Sequence, residues 1–206
     1  TTACVYGGPS NTLDDCANVT AGITGGGISI GAAYDFDNGF TTAFGAQFVE
    51  TGIATDETND SYALNAAYTA DQYGVSVTYA DVETGTVNND TYIALNGYYS
   101  FNNGLNISAG YEIGDLDGEA AASDESEAYF VGINREIGPG ELGAALGTLG
   151  VQTEANGSIP DRMMYEVYYS YAVNDGMTIT PLIYTKEAAD SNDTDETGII
   201  IKTSFS

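Results

Sequence analysis

The 206-residue chain sets four basic residues (Arg135, Arg162, Lys186 and Lys202) against thirty acidic ones, a formal net charge of −26. That excess repels nucleic acid and anionic head groups, which are excluded as partners. With no histidine, the usual general base and the dyads built on it are absent, so the chain does not read as an enzyme.

Taken from the N-terminus, the first stretch is rich in Gly, Pro, Asn and Asp and holds the only two cysteines, Cys4 and Cys16. A disulfide stapling this segment in an oxidising compartment is expected, the alternative being two free thiols; a metal site is not, because no histidine or second cysteine pair could complete a tetrahedral set. Residues 1–27 are therefore expected to form one unit, a stapled loop on the outer side, and residues 28–206 a second, strand-bearing unit. No window approaches the twenty apolar residues of a membrane helix, and Thr1 is not a start methionine, so the chain reads as processed or partial.

From residue 28 onward, apolar residues recur with period two, which predicts strands with one apolar face. In 28–36 that face is Ile28, Ile30, Ala32, Tyr34 and Phe36; in 40–50 it is Phe40, Thr42, Phe44, Ala46 and Phe48. Runs 61–70, 74–82, 91–101 and 105–114 continue the pattern through Leu64, Val77, Leu95 and Ile107. Further runs carry Tyr129, Val131 and Ile133; Leu142, Ala144 and Leu146; Tyr165, Val167 and Tyr169; Ile179, Pro181 and Ile183; and, in 196–206, Ile199 and Ile201. Eleven strands are predicted.

Five short turns, near Asp37-Asn38-Gly39, Asp71-Gln72-Tyr73, Asn102-Asn103-Gly104, Gly138-Pro139-Gly140 and Asn174-Asp175-Gly176, alternate with long acidic loops near 51–60, 81–90, 115–126, 153–161 and 188–195. Tight turns on one side and long loops on the other are the pattern of an all-β, antiparallel up-and-down transmembrane barrel. Aromatic residues gather beside the short turns (Tyr34, Phe36, Phe40, Tyr68, Tyr73, Tyr99, Phe101, Tyr169 and Tyr171) as an interfacial girdle would. The faces opposite the apolar ones are small and polar, as a lumen wall requires. An odd strand count that begins on the long-loop side implies a further strand upstream, so the chain, residues 28–206 above all, is expected to be the C-terminal part of a larger barrel.

The segments YSYAVNDGMTITPLIYTKE (170–187), GIIIKTSFS (198–206), YFVGINREIGPGELGAALGT (129–148) and YGGPSNTLDDC (6–16) resemble cyanobacterial outer-membrane porins, which group with the carbohydrate-selective porin superfamily. The resemblance implies a pore-forming trimer in a bacterial outer membrane, passing inorganic ions, including iron uptake in some members, and small sugars. Full-length members carry an N-terminal surface-layer-homology domain and a helical spacer, neither of which this sequence contains. The chain also ends Phe205-Ser206 rather than on an aromatic residue.

Charged residues on the polar faces are the ones expected to tune permeation: Asp35, Glu112, Glu166 and Lys202. A carboxylate-lined lumen favours cations, so a passive diffusion channel with cation preference is expected. No metal or cofactor is expected. Asp190, Asp193 and Asp195 offer oxygen donors in one loop, but without the glycine and distant glutamate of an EF-hand they read as a solvated acidic surface. The rival reading is a secreted or surface-assembled β-rich adhesin or fibre subunit whose acidic loops bind calcium.

Overall fold

The computed structural model describes residues 27–50, 58–84, 88–117, 124–150, 152–153, 162–188 and 194–205. They form β1 (Gly27–Asp35), β2 (Phe40–Glu50), β3 (Thr58–Thr69), β4 (Tyr73–Thr84), β5 (Asn88–Ser100), β6 (Leu105–Asp115), β7 (Glu125–Ile137), β8 (Gly140–Thr148), the two-residue β9 (Gln152–Thr153), β10 (Met163–Asn174), β11 (Met177–Lys186) and β12 (Glu196–Phe205). Apart from β9, which pairs with the start of β7, every strand lies beside its sequence neighbour in one antiparallel sheet. This is the up-and-down, all-β order that the alternation predicts. Among the described residues no ladder joins β1 to β12, so the sheet is an open stretch of wall.

The short turns form where expected, for local reasons. Asp37 (φ 58°) and Gly39 (φ 86°) adopt left-handed backbone at the first turn. There the Asp37 N–H donates to Asp35 Oδ1 at 2.9 Å and the Phe40 N–H to Asn38 Oδ1 at 3.0 Å. The same side-chain mimicry of a turn recurs at Asn103 (Leu105 N–H to Oδ1, 3.1 Å) and Asn174 (Gly176 N–H to Oδ1, 2.9 Å). Gly104 (φ 80°) and Gly138 (φ 64°) supply positive φ that a side chain would oppose.

On the other side the strands run further than the acidic composition suggested. Segment 81–90, expected as a long loop, is mostly ladder: β4 and β5 pair as far as Thr84↔Asn88. Residues 82–84 stay extended in that ladder, and the Glu83 carboxylate accepts from the Asp60 N–H of β3 at 3.0 Å, so the acidic side chain ties two strands together instead of ending one. Likewise β3 starts at Thr58 and β7 at Glu125, and the Leu116 N–H donates to the Asp124 carbonyl at 2.7 Å beneath the 115–126 connection.

Large apolar side chains are exposed on one face (Ile30 55%, Leu95 59%, Val167 53%), while the buried ones lie on the other. The buried cluster is Ala128, Phe130, Ala145 and Met164, with Leu149 and Tyr184 against it. Burial alternates with the strand period, as in β7 and β10. The buried face is therefore the inner, concave one.

A repeated device lets that inner face hold aromatic residues. Tyr98 lies over Gly74, Tyr92 over Gly114, Phe130 over Gly110, Tyr168 over Gly143 and Tyr184 over Gly198; each pair is opposite in register on adjacent strands. The ring occupies the place of the missing Cβ and lies along the wall instead of projecting from it.

Candidate functional site: an inner polar wall behind an outward apolar band

The outward face is built for a non-aqueous surrounding. Its middle rows are aliphatic: Leu64, Val75, Val77, Ile93, Leu95, Val131 and Leu146 are all exposed. Toward the short turns the band ends in the expected aromatic row, knit by ring contacts: Tyr34–Phe36 and Tyr99–Phe101 at 4.7 Å, Phe40–Tyr68 at 5.7 Å and Tyr68–Tyr73 at 6.0 Å.

A second row, not anticipated from the sequence, borders the band on the long-loop side: Tyr62, Tyr79, Tyr111, Tyr129 and Tyr165. Tyr111 donates to Glu127 Oε2 at 2.9 Å, Tyr165 to Glu187 Oε1 at 3.3 Å and Tyr62 to Asp60 Oδ2 at 3.4 Å. Tyr62 and Tyr68 stand six residues apart on β3, as do Tyr73 and Tyr79 on β4. At about 3.3 Å per residue that is roughly 20 Å of strand. Two tyrosine rows flanking an aliphatic belt are the signature of a sheet that crosses hydrocarbon.

The inner face carries hydroxyls and amides between its few charged residues. Asn65 Nδ2 donates to Thr78 Oγ1 at 2.8 Å, and Thr180 Oγ1 to Ser170 Oγ at 3.2 Å. A recess of about 460 Å³ is lined there by Thr69, Ser76, Asn96, Tyr98, Asn106 and Ser108, among others, with Phe130 at its margin. Its lining mixes hydroxyls and amides with aliphatic and ring carbons, Val75 and Ile107 among them, and includes no charged side chain.

Each charged residue nominated by alternation lies on the inner face, in a different setting. Asp35 ends β1 at the short-turn rim, exposed, and its carboxylate caps the turn through the Asp37 N–H. Lys202, on β12 opposite Thr180, is exposed on that face. Glu112 and Glu166 sit level with the long-loop tyrosine row, next to Tyr111 and Tyr165, and are almost wholly buried, at 4% and 2% exposure. Glu112 lies between Ala94 and Ala128, and Glu166 between Ala145 and Tyr184. The two are not a pair: β7 and β8 intervene, with four residues of stagger between their rows, roughly 20 Å.

Glu141 belongs to the same face and was passed over. It alternates with Leu142 and so points inward, where its carboxylate accepts from Asn134 Nδ2 at 2.6 Å and from Tyr168 Oη at 3.3 Å. Glu136 faces it across the β7–β8 ladder. The alternation that nominated Glu112 was sufficient to find both.

Cys4, Cys16, Asp190 and Asp193 lie outside the described residues. Asp195 accepts from the Ala188 N–H at 3.1 Å, and among the described residues no three metal-ligating side chains cluster.

No family model and no curated protein matches the chain. Solved structures do. A porin aligns at TM-score 0.69 and 18% identity, covering 92% of this chain and 64% of its own. The anion-selective porin from Comamonas acidovorans aligns at 0.63 and 16%, covering 85% and 55%, and a mutant of Rh. blastica porin at 0.62 and 12%, covering 86% and 54%. The chain thus has the porin fold and spans 54–64% of the length of these porins.

Proposed function

We infer that this chain forms wall of a bacterial outer-membrane porin, a passive, non-enzymatic channel for small hydrophilic solutes and inorganic ions. The observation that carries this is the division of the sheet into two faces. An aliphatic belt between tyrosine rows suits lipid, and the opposite face, lined with hydroxyls and amides, suits water. A soluble adhesin or fibre subunit would have to cover that belt. Gel mobility in detergent tests the proposal: the folded protein migrates differently before and after boiling, and a monodisperse, detergent-free protein with unchanged mobility would sink it.

The finer parts of the proposal rest on separate supports. The sequence resemblance supports membership of the cyanobacterial outer-membrane porin group, a homotrimer, a larger complete barrel and passage of ions, iron among them. The uncharged recess on the inner face supports passage of small sugars. Cation preference is supported by the −26 net charge and by Glu136 and Glu141 on the inner face. The anion-selective porin shares only the fold with this chain, at 16% identity, so it does not bear on the sign. The disulfide Cys4–Cys16, and with it a stapled outer segment 1–27, belongs to the same proposal.

A further inference from the structure

Arg135 is the charged side chain that the outward band leaves unexplained. It alternates with Val131 and Ile133 along β7, so it stands on the outward face, and among the described residues it is the only basic one at an outward strand position. The ladders place Leu105 and Leu142 on either side of it and Tyr169 beyond Leu142. Beyond Leu105 comes Phe101, whose N–H donates to the Leu105 carbonyl at 2.8 Å. Arg135 therefore holds a place in the short-turn aromatic row, to which β6, β7 and β8 contribute no ring of their own. It is exposed, and its guanidinium has no hydrogen-bond or ion-pair partner among the described residues.

Toward the middle of the belt the positions behind Arg135 are aliphatic. Ile107, Ile133 and Ala144 form the next row, and Ala109, Val131 and Leu146 the one after. That column runs four residues, roughly 13 Å of strand, close to the depth of about 15 Å that one leaflet's chains fill. A bare cation at the edge of such a column calls for an anion at the same level. A second copy in the same membrane orientation does not bring one. Among the described residues the outward carboxylates of the strands, such as Asp60, Glu83, Asp115 and Glu127, all stand at the long-loop end. The leaflet on the short-turn side does bring one, in its head-group phosphates.

We propose that Arg135, set in this gap of the aromatic row, binds the phosphate of one glycerophospholipid of the short-turn-side leaflet, whose acyl chains lie on the aliphatic column. A guanidinium meets a phosphate through two parallel N–H···O contacts, which a point charge does not offer. Its long apolar stem lets the head stay at the polar boundary while the residue belongs to an apolar face. The site rests on the reading of the outward band as lipid-facing and is independent of whether the inner face conducts.

The test is native mass spectrometry of the folded protein released from detergent micelles that carry phosphatidylglycerol. The expected result is one retained phosphatidylglycerol per chain, bound about fivefold more weakly by Arg135→Gln, since one arginine's attraction to a head-group phosphate is lost, and largely restored in Arg135→Lys. Lys186→Gln removes the same charge from the inner face, beside Tyr184, and should leave retention unchanged. Diacylglycerol with the same chains and no phosphate should bind wild type and Arg135→Gln alike. Equal retention of phosphatidylglycerol by wild type and Arg135→Gln overturns the site, as does an equal loss in Lys186→Gln or an equal loss of diacylglycerol. An oligomer that holds no lipid and separates in Arg135→Gln also overturns it, by putting a second copy on the residue. Protein that shows the boiling-dependent gel shift but retains no lipid loses this site alone. A detergent-free, monodisperse protein with unchanged mobility loses the lipid-facing band and the site with it.

Discussion

Replacing Gly110 with alanine tests the claim that ring-on-glycine packing holds the inner wall together. A Cβ there would overlap Phe130 Cε1 and Asn96 Oδ1, with Phe130 Cδ1 at 3.0 Å. Ordinary carbon contacts lie near 3.5–4.0 Å, so the ring must tip off the wall by about 1 Å. Phe130 is 2% exposed and packed with Ala145 and Met164, so it has little room to do so. Overpacking of this kind costs about 1–3 kcal/mol, against a gain of about 0.4–1 kcal/mol from restricting the unfolded chain. The net expectation is a loss of about 1–2 kcal/mol. Gly45→Ala is the control, because a Cβ there meets nothing within 4 Å and only the gain applies. Urea unfolding in detergent should place the midpoint of Gly110→Ala below wild type by about 0.5–1 M, with Gly45→Ala at or above wild type. Combining Gly110→Ala with Phe130→Val should recover part of the loss, since the two residues share one contact. Equal midpoints for the two alanine variants would refute the packing argument.

Other outcomes follow from the same geometry. Val77→Lys puts a charge in the middle of the outward belt and should destabilise the lipid-embedded protein by about 2–4 kcal/mol, whereas Ser76→Lys on the inner face should cost much less; comparing their unfolding midpoints checks it. Gly104 adopts φ 80° with nothing within 4 Å of a Cβ, so Gly104→Ala isolates backbone strain and should cost about 1–2 kcal/mol in the same unfolding measurement. Single cysteines at Asp124 and Asn103 should differ in intact cells: an impermeant thiol label reaches position 124 on the long-loop side and not position 103, and the reverse pattern would invert the orientation.

The strands were legible because each one obeys a single local rule, alternation, over nine or more residues, and the turns because Asn, Asp and Gly act through their own backbones. What composition hid was length on the loop side. Val82, Glu83 and Thr84 look like loop because they are acidic and polar, yet ladder pairing with Asn88, Asn89 and Asp90 keeps them extended. The second tyrosine row was hidden for a related reason: Tyr62, Tyr79, Tyr111, Tyr129 and Tyr165 sit at different offsets within their strands and line up only once register is known. The inner face of Asp35, Glu112, Glu166 and Lys202 could be read from parity. Their exposure could not, since the burial of Glu112 depends on Ala94, Ala128 and Ser126 arriving from other strands. The ring-on-glycine pairs are likewise a property of register, not of either partner's sequence.

The most direct test of the central claim is the current through a planar bilayer after insertion of the purified protein. Stepwise conductance increments are expected, with a reversal potential in a potassium chloride gradient that indicates cation preference and shrinks as salt is raised, because added ions screen the wall and mouth charges. A protein that inserts without conductance steps would contradict the channel itself, and steps with anion preference would contradict its electrostatics.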